Sequence, residues 1–197
     1  MTEIRTGTDA DAGAAAALHA SEISEGFLPS LGRPFLTRLY RRIVRSPGSF
    51  LLIAHDGESI VGFVAGSEQV RDLYRSFLLR DGAVATLAAL PQLARSWRHV
   101  LETLRYPAGA GDDGARDLPS AELLAIAVAP AARGSGAGRQ LVAALTSEFE
   151  RRGVGGVRVV VGDDNAAAIS LYEHCGFTTA ARLEVHRGTP SRVLTWP

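Results

Sequence analysis

The sequence predicts a single domain of mixed α/β class, and three observations carry that expectation. First, Asp56-Gly57 lies between two β-type runs, Phe50–Ala54 and Ile60–Ala65, which marks a hairpin. Second, the apolar strand Glu122–Val128 ends in a short turn. A glycine-rich loop, Arg133–Gly138, then opens an amphipathic helix. Third, a further apolar strand, Val157–Val161, is followed by a short helical segment, Asn165–Cys175. At 197 residues the chain is long enough for one domain with a substantial core.

The remaining elements follow in order. Glu3–Arg5 predicts a short first strand, and Thr8 or Asp9 caps a helix over Ala10–Ala20. Ser24–Gly32 holds turn formers around Phe27 and Leu28 and predicts a loop. Pro34 sits in the first turn of a second helix, whose apolar stripe is Phe35, Leu39 and Ile43 with Leu36 and Tyr40. After the hairpin, Val70, Leu73, Tyr74, Phe77 and Leu78 recur at helical spacing, and helical character continues through Val84–Leu104, with Pro91 kinking or restarting it. Ala108–Pro119 predicts a flexible loop. In the helix Gly136–Arg152, Leu141, Leu145 and Phe149 form a buried stripe. The mainly apolar run Val157–Val161 is what a strand covered on both faces requires. Phe177–Val185 and Ser191–Trp196 predict a last pair of strands.

Composition removes several function classes. The 21 basic and 21 acidic residues cancel, which argues against broad nucleic-acid or membrane-surface binding, and neither partner is expected. Every basic residue is Arg, so no Lys can supply Schiff-base or P-loop chemistry. The lone Cys175 can form neither an internal disulfide nor a zinc site. No metal-ligand cluster is visible, and no metal is expected. Charges from the first residues onward, with no long apolar run, predict a cytoplasmic location without a membrane span.

The glycine loop carries the chemistry. Free backbone N–H groups at a helix N-terminus, with the favourable end of the helix dipole, bind anions. Two nucleotide motifs do not fit. A P-loop ends in Gly-Lys-Ser/Thr, whereas this chain reads Gly138-Arg139-Gln140. A dinucleotide fingerprint is G-x-G-x-x-G in the first strand–helix unit, whereas Gly134, Gly136 and Gly138 alternate two-thirds of the way along the chain.

Arg133-x-x-Gly136-x-Gly138 resembles the acyl-coenzyme A pyrophosphate loop of the GNAT N-acyltransferase superfamily. Asn165, Ala168, Leu171-Tyr172-Glu173 and Gly176-Phe177 match a second pattern of that superfamily, N-x-x-A-x-x-L-Y-x-x-x-G-F, at the right distance. The close resemblance covers about Glu122–Phe177. It implies the GNAT fold: a central mixed, mostly antiparallel twisted sheet of six to seven strands flanked by helices. A helical insertion, about residues 68–118, would lie between the third and fourth strands.

The resemblance also implies acetyl transfer from acetyl-CoA to a primary amine by direct attack in a ternary complex. Arg133, Gly134, Ser135, Gly136, Ala137, Gly138 and Arg139 would hold the pyrophosphate. Backbone groups at Ala127 and Val128 would polarise the thioester carbonyl, where a bulge splays the strand from its neighbour. Tyr172 would protonate the departing thiolate; the alternative is a core tyrosine on the inner helix face with Ile169 and Cys175. Asn165 would bond the pantetheine arm beside Ala168, or simply cap the helix. Glu122, sharing strand parity with Leu124 and Ile126, would be the base that neutralises the amine; the alternatives are a strand-edge glutamate or a water chain.

The acceptor is less legible. Glu22, Glu25 and Phe27 lie in the region that usually contacts it. The insertion would form a lid, a pocket wall or a homodimer surface. Its Arg71, Arg75, Arg80, Arg95 and Arg98 would meet an anionic acceptor such as a nucleotide-linked amino sugar, or else form a solvated face. A small-molecule amine is the leading acceptor. Protein or peptide amines, and a non-catalytic acyl-CoA sensor, are the rivals.

Overall fold

The computed structural model describes residues 2–23, 28–81, 118–186 and 189–197. Among them, seven strands build one sheet: β1 (Glu3–Thr6), β2 (Ser49–Asp56), β3 (Ser59–Ser67), β4 (Ala121–Val128), β5 (Val157–Gly162), β6 (Thr178–His186) and β7 (Thr189–Trp196). Helices α1 (Ala12–Glu22), α2 (Arg33–Arg45), α3 (Val70–Arg80), α4 (Ala137–Arg151) and α5 (Ala166–His174) flank it. The strand order is β1-β2-β3-β4-β5-β7-β6. Only β4 and β5 run parallel; every other adjacent pair is antiparallel. A parallel pair needs a crossover, and α4 supplies it. The sheet is therefore the mixed, mostly antiparallel one expected.

Local chemistry sets the element boundaries. The β2–β3 loop is Gly57-Glu58, one residue beyond the pair the sequence marked. Asp11 accepts hydrogen bonds from the Thr8 backbone N–H at 2.7 Å and the Thr8 hydroxyl at 2.8 Å. These bonds close a single 3-10 turn, so α1 starts at Ala12 and not Ala10. In α2, Leu36, Leu39, Tyr40 and Ile43 are buried, and Phe35 is only half-buried, edge-on to Phe77 at 5.3 Å.

The sheet carries a core on each face, and β2 shows the alternation. Phe50, Leu52 and Ala54 pack with Leu141, Leu145 and Phe149 of α4. Leu51 and Ile53 pack with Ala12, Ala15 and Ala16 of α1 and Leu36, Leu39 and Tyr40 of α2. Two expectations need correction. Val160 keeps 37% of its surface exposed, so β5 is buried at Val157, Val159 and Val161 but not covered throughout on its second face. On α3 the buried residues are Leu73 and Phe77, while Tyr74 and Leu78 of the expected stripe are exposed.

The middle of the sheet positions the site. Along β3–β4, Ala65 opposes Ala125 and Gly66 opposes Leu123, which leaves Leu124 as an extra residue. This bulge switches the faces of β4. Ala121 and Leu123 lie on the α4 side, as do Ile126 and Val128 beyond it, whereas Leu124, Ala125 and Ala127 lie on the α1–α2 side. Glu122 and Ile126 therefore do not share a face, contrary to the simple parity argument.

Helix α3 is the described part of the insertion, and its Arg71, Arg75 and Arg80 are exposed. Arg95, Arg98 and the Pro91 break lie outside the described residues, as do Glu25 and Phe27. Among the described residues, no helix is long and apolar enough to cross a membrane.

Candidate active site

Strands β4 and β5 pair at only two positions, Ala121 with Val157 and Glu122 with Arg158. Beyond Glu122 they diverge, and the β4 edge facing β5 is not taken up in the ladder. The unpaired stretch of β4 runs on to the C-terminal end of the strand, where the chain makes a 3-10 turn at Pro130–Ala132 and enters the glycine loop. The loop and the gap are thus neighbours.

Gly134 and Gly136 adopt φ of +78° and +88°, a region that side chains rarely enter. Gly136 caps α4 with no side-chain hydrogen bond to the first turn. The Ser135 hydroxyl donates to the Ala132 carbonyl at 2.7 Å and receives a long bond from the Ala137 N–H at 3.4 Å. Nothing lies within 4 Å of where a Cβ would project from Gly134 or Gly136, so the loop's surface is open. Gly138 faces Leu171 of α5 and Val128 of β4. Arg139 is exposed and its charge reaches Cys175, whose thiol is nonetheless pushed up by burial. Arg133 is paired with Glu22 at the end of α1, which ties the glycine loop to the first interhelical connection.

Glu122 sits at the apex of the gap. Its Oε2 accepts from Arg158 Nε at 2.9 Å. Burial pushes the carboxyl above the ordinary glutamate value, against the opposing pull of Arg158. Ala121 and Leu123 belong to the α4-side core, so Glu122 faces the side of α1–α3. There Tyr74 of α3 lies near it. That residue is 37% exposed overall, yet desolvation, and then the Glu122 charge, push its phenol up to about 12.

Tyr172 is on the other face. It is 4% exposed, within the α4-side core, with its ring 5.7 Å from that of Phe177. Ile169 is buried beside it and Cys175 is half-buried. Glu122 and Tyr172 thus lie on opposite faces of the sheet. The Asn165 side-chain oxygen accepts from the Ala168 N–H at 3.1 Å and caps α5. An open hollow of about 530 Å³, bordered by Glu68, Pro119, Ser120 and Gly156, lies at the far end of β4 from the glycine loop.

Sequence reasoning did not single out Arg158 or the nearness of Tyr74. The available signal for Arg158 was one cation inside a valine strand, Val157-Arg158-Val159-Val160-Val161. Among the described residues no group of His, Cys, Asp and Glu side chains forms a metal site.

This arrangement of sheet, gap and loop is that of the acetyltransferase fold. The yncA protein of Salmonella typhimurium, solved with its cofactor acetyl-CoA, matches with a TM-score of 0.60 at 19% identity, over 99% of this chain and 92% of that one. The profile of the acetyltransferase (GNAT) family matches residues 19–177, and the chain belongs to that family. Closer sequence likeness is partial. A mycothiol acetyltransferase of Streptosporangium roseum is 43% identical over 68 residues, 34% of this chain and 20% of the relative. The ribosomal protein bS18-alanine N-acetyltransferase of Escherichia coli is 46% identical over 63 residues, 32% of this chain and 43% of the relative. The chain therefore matches less than half the length of these curated relatives.

The residues present fit coenzyme A. The open, positive-φ glycines, the uncapped α4 N-terminus and the adjoining gap offer an anion cradle next to a slot for an extended arm.

Proposed function

We propose that the protein transfers the acetyl group of acetyl-CoA to the primary amine of a small molecule, by direct attack in a ternary complex. The observation that carries this is the divergence of β4 from β5 directly beside an open glycine loop at the N-terminus of α4. Acetyl-CoA, when bound, supplies an activated thioester. Arg133, Gly134, Ser135, Gly136, Ala137, Gly138 and Arg139 hold the pyrophosphate, mainly through backbone N–H groups. Asn165 and Ala168 border the arm, and backbone groups at Ala127 and Val128 polarise the carbonyl.

Glu122 accepts the proton of the attacking amine. Its burial supports that role, because a raised carboxyl pKa brings the base closer to the working pH. Tyr172 supplies a proton from the α5 side of the gap. Glu25 and Phe27 contact the acceptor. Likeness to mycothiol acetyltransferases supports a small-molecule acceptor such as an amino sugar or another amine metabolite. The likeness to the bS18-alanine enzyme favours a second reading, in which the acceptor is the terminal amine of a protein.

Free-thiol release from acetyl-CoA, measured across amines, amino sugars and peptides, separates these readings. Release with small amines supports the first, and release confined to peptides supports the second. Tight acetyl-CoA binding with no release from any class would overturn both.

A further inference from the structure

We propose that Arg158 is a positioning residue for Glu122, fixing the carboxylate at the apex of the β4–β5 gap and keeping it ionised. This rests on the reading of Glu122 as the base. The two residues form the last rung of the parallel ladder before the strands separate. In a parallel pair, register partners project to the same face, so the ion pair is built into the sheet. Only 25% of the Arg158 side chain and 18% of the Glu122 side chain are exposed, so water screens the pair weakly.

The contact is one-sided. Arg158 Nε bonds Oε2, while no hydrogen bond to Oε1 is made among the described residues, and the side chain keeps 18% of its surface exposed. One carboxylate oxygen is anchored and the other is left to receive a proton. An isolated buried carboxylate would stay protonated near neutrality and could not act as a base. Arg158 offsets that burial without occupying both oxygens.

Among the described residues, three neighbouring groups offer no substitute charge. Tyr74 on α3 faces Glu122 but stays neutral below about 12. Ser67, the β3 register partner, is engaged with Ser49 and the Gly48 carbonyl. On α1, His19 is bonded to Tyr40 and held neutral by burial.

The test combines pH profiles of kcat/KM with a carbon-13 NMR titration of the Glu122 carboxyl, in wild type, Arg158→Lys, Arg158→Met and Glu122→Gln. Arg158→Met should raise the Glu122 titration, and with it the acid limb of the profile, by about one pH unit or more. Activity below that limb should fall about tenfold. Arg158→Lys should restore most of both. If Glu122→Gln is inactive but Arg158→Met moves neither titration nor limb, the pair is only a structural tie and this proposal fails alone. If Glu122→Gln keeps wild-type kcat/KM, the base assignment fails and takes this proposal with it.

Discussion

Replacing Gly62 with alanine tests the close approach that sets the end of β4. Gly62 on β3 opposes Val128, the last residue of β4. A Cβ there would lie 2.9 Å from the Ala127 carbonyl oxygen and 3.1 Å from Leu141 Cδ1. The leucine tip can rotate away, but the carbonyl is main chain. Relief requires β3 and β4 to part by several tenths of an ångström where β4 feeds the glycine loop. Overpacking of this kind costs about 2 kcal/mol. For a chain of this size that is a fall of about 4–8 °C in Tm. Coenzyme A affinity should weaken about tenfold, or about 1.4 kcal/mol, because the cradle moves with the strand. Thermal melts and calorimetric titration measure both. Gly13→Ala is the matched control. Gly13 lies within α1, and nothing lies within 4 Å of its Cβ position. Alanine there should raise stability by about 0.5–1 kcal/mol. A Gly62→Ala variant melting within about 1 °C of wild type would refute the reasoning. So would two variants shifting in the same direction.

Three further outcomes follow from single residues. Burial holds the His19 imidazole down to about 4, against an ordinary 6.5. Between these values the unfolded chain takes up a proton that the native state does not. Stability is therefore full above pH 6.5 and is lost as pH falls toward 4, by up to about 3 kcal/mol. His19→Gln should flatten that dependence in melts at pH 7 and pH 4.5, and an unchanged dependence would clear His19 of the effect. Asn165→Ala should cost about 1 kcal/mol through the lost cap of α5; a loss of coenzyme A affinity beyond what the melt explains would assign Asn165 a contact with the arm as well. Tyr172→Phe should lower kcat about 10²-fold, and unchanged turnover across pH would remove its role as a proton donor.

The sequence revealed what local chemistry decides. Asp56-Gly57 located the hairpin, Pro34 opened α2, and the Leu141–Leu145–Phe149 stripe fixed the buried face of α4. Two linked motifs then identified the cofactor-binding class. What stayed hidden depends on strands meeting. The run Ala121–Val128 contains nothing that singles out Leu124, because the bulge arises only when β4 is matched against β3. Hence the parity argument carried Ile126 to the wrong face. Arg158 and Glu122 are 36 residues apart in sequence and become partners only through the two-rung parallel ladder. The Arg133–Glu22 pair, 111 residues apart, likewise forms only when the glycine loop folds against the end of α1. Asn165 was ambiguous because a helix cap and a ligand contact call for the same side chain, and the structure shows that its oxygen makes the cap.

The two-rung junction has a mechanical consequence. A sheet joined by so few backbone bonds is two ribbons with a seam, β1–β4 on one side and β5–β7 on the other. What closes the seam is side-chain packing. Phe50, Leu52 and Val64 of one ribbon and Val157, Val159 and Leu194 of the other belong to the same cluster as Leu141, Leu145 and Phe149. Helix α4 thus acts as a splint laid across an open joint. Cohesion has passed from the backbone ladder to the hydrophobic core, and the cleft can stand open in a sheet that still holds together. Shortening Leu141 or Phe149 should therefore do more than lower the melting temperature: the two ribbons should move independently, with the amides on both lips of the seam exchanging with solvent before those of the β2–β3 hairpin.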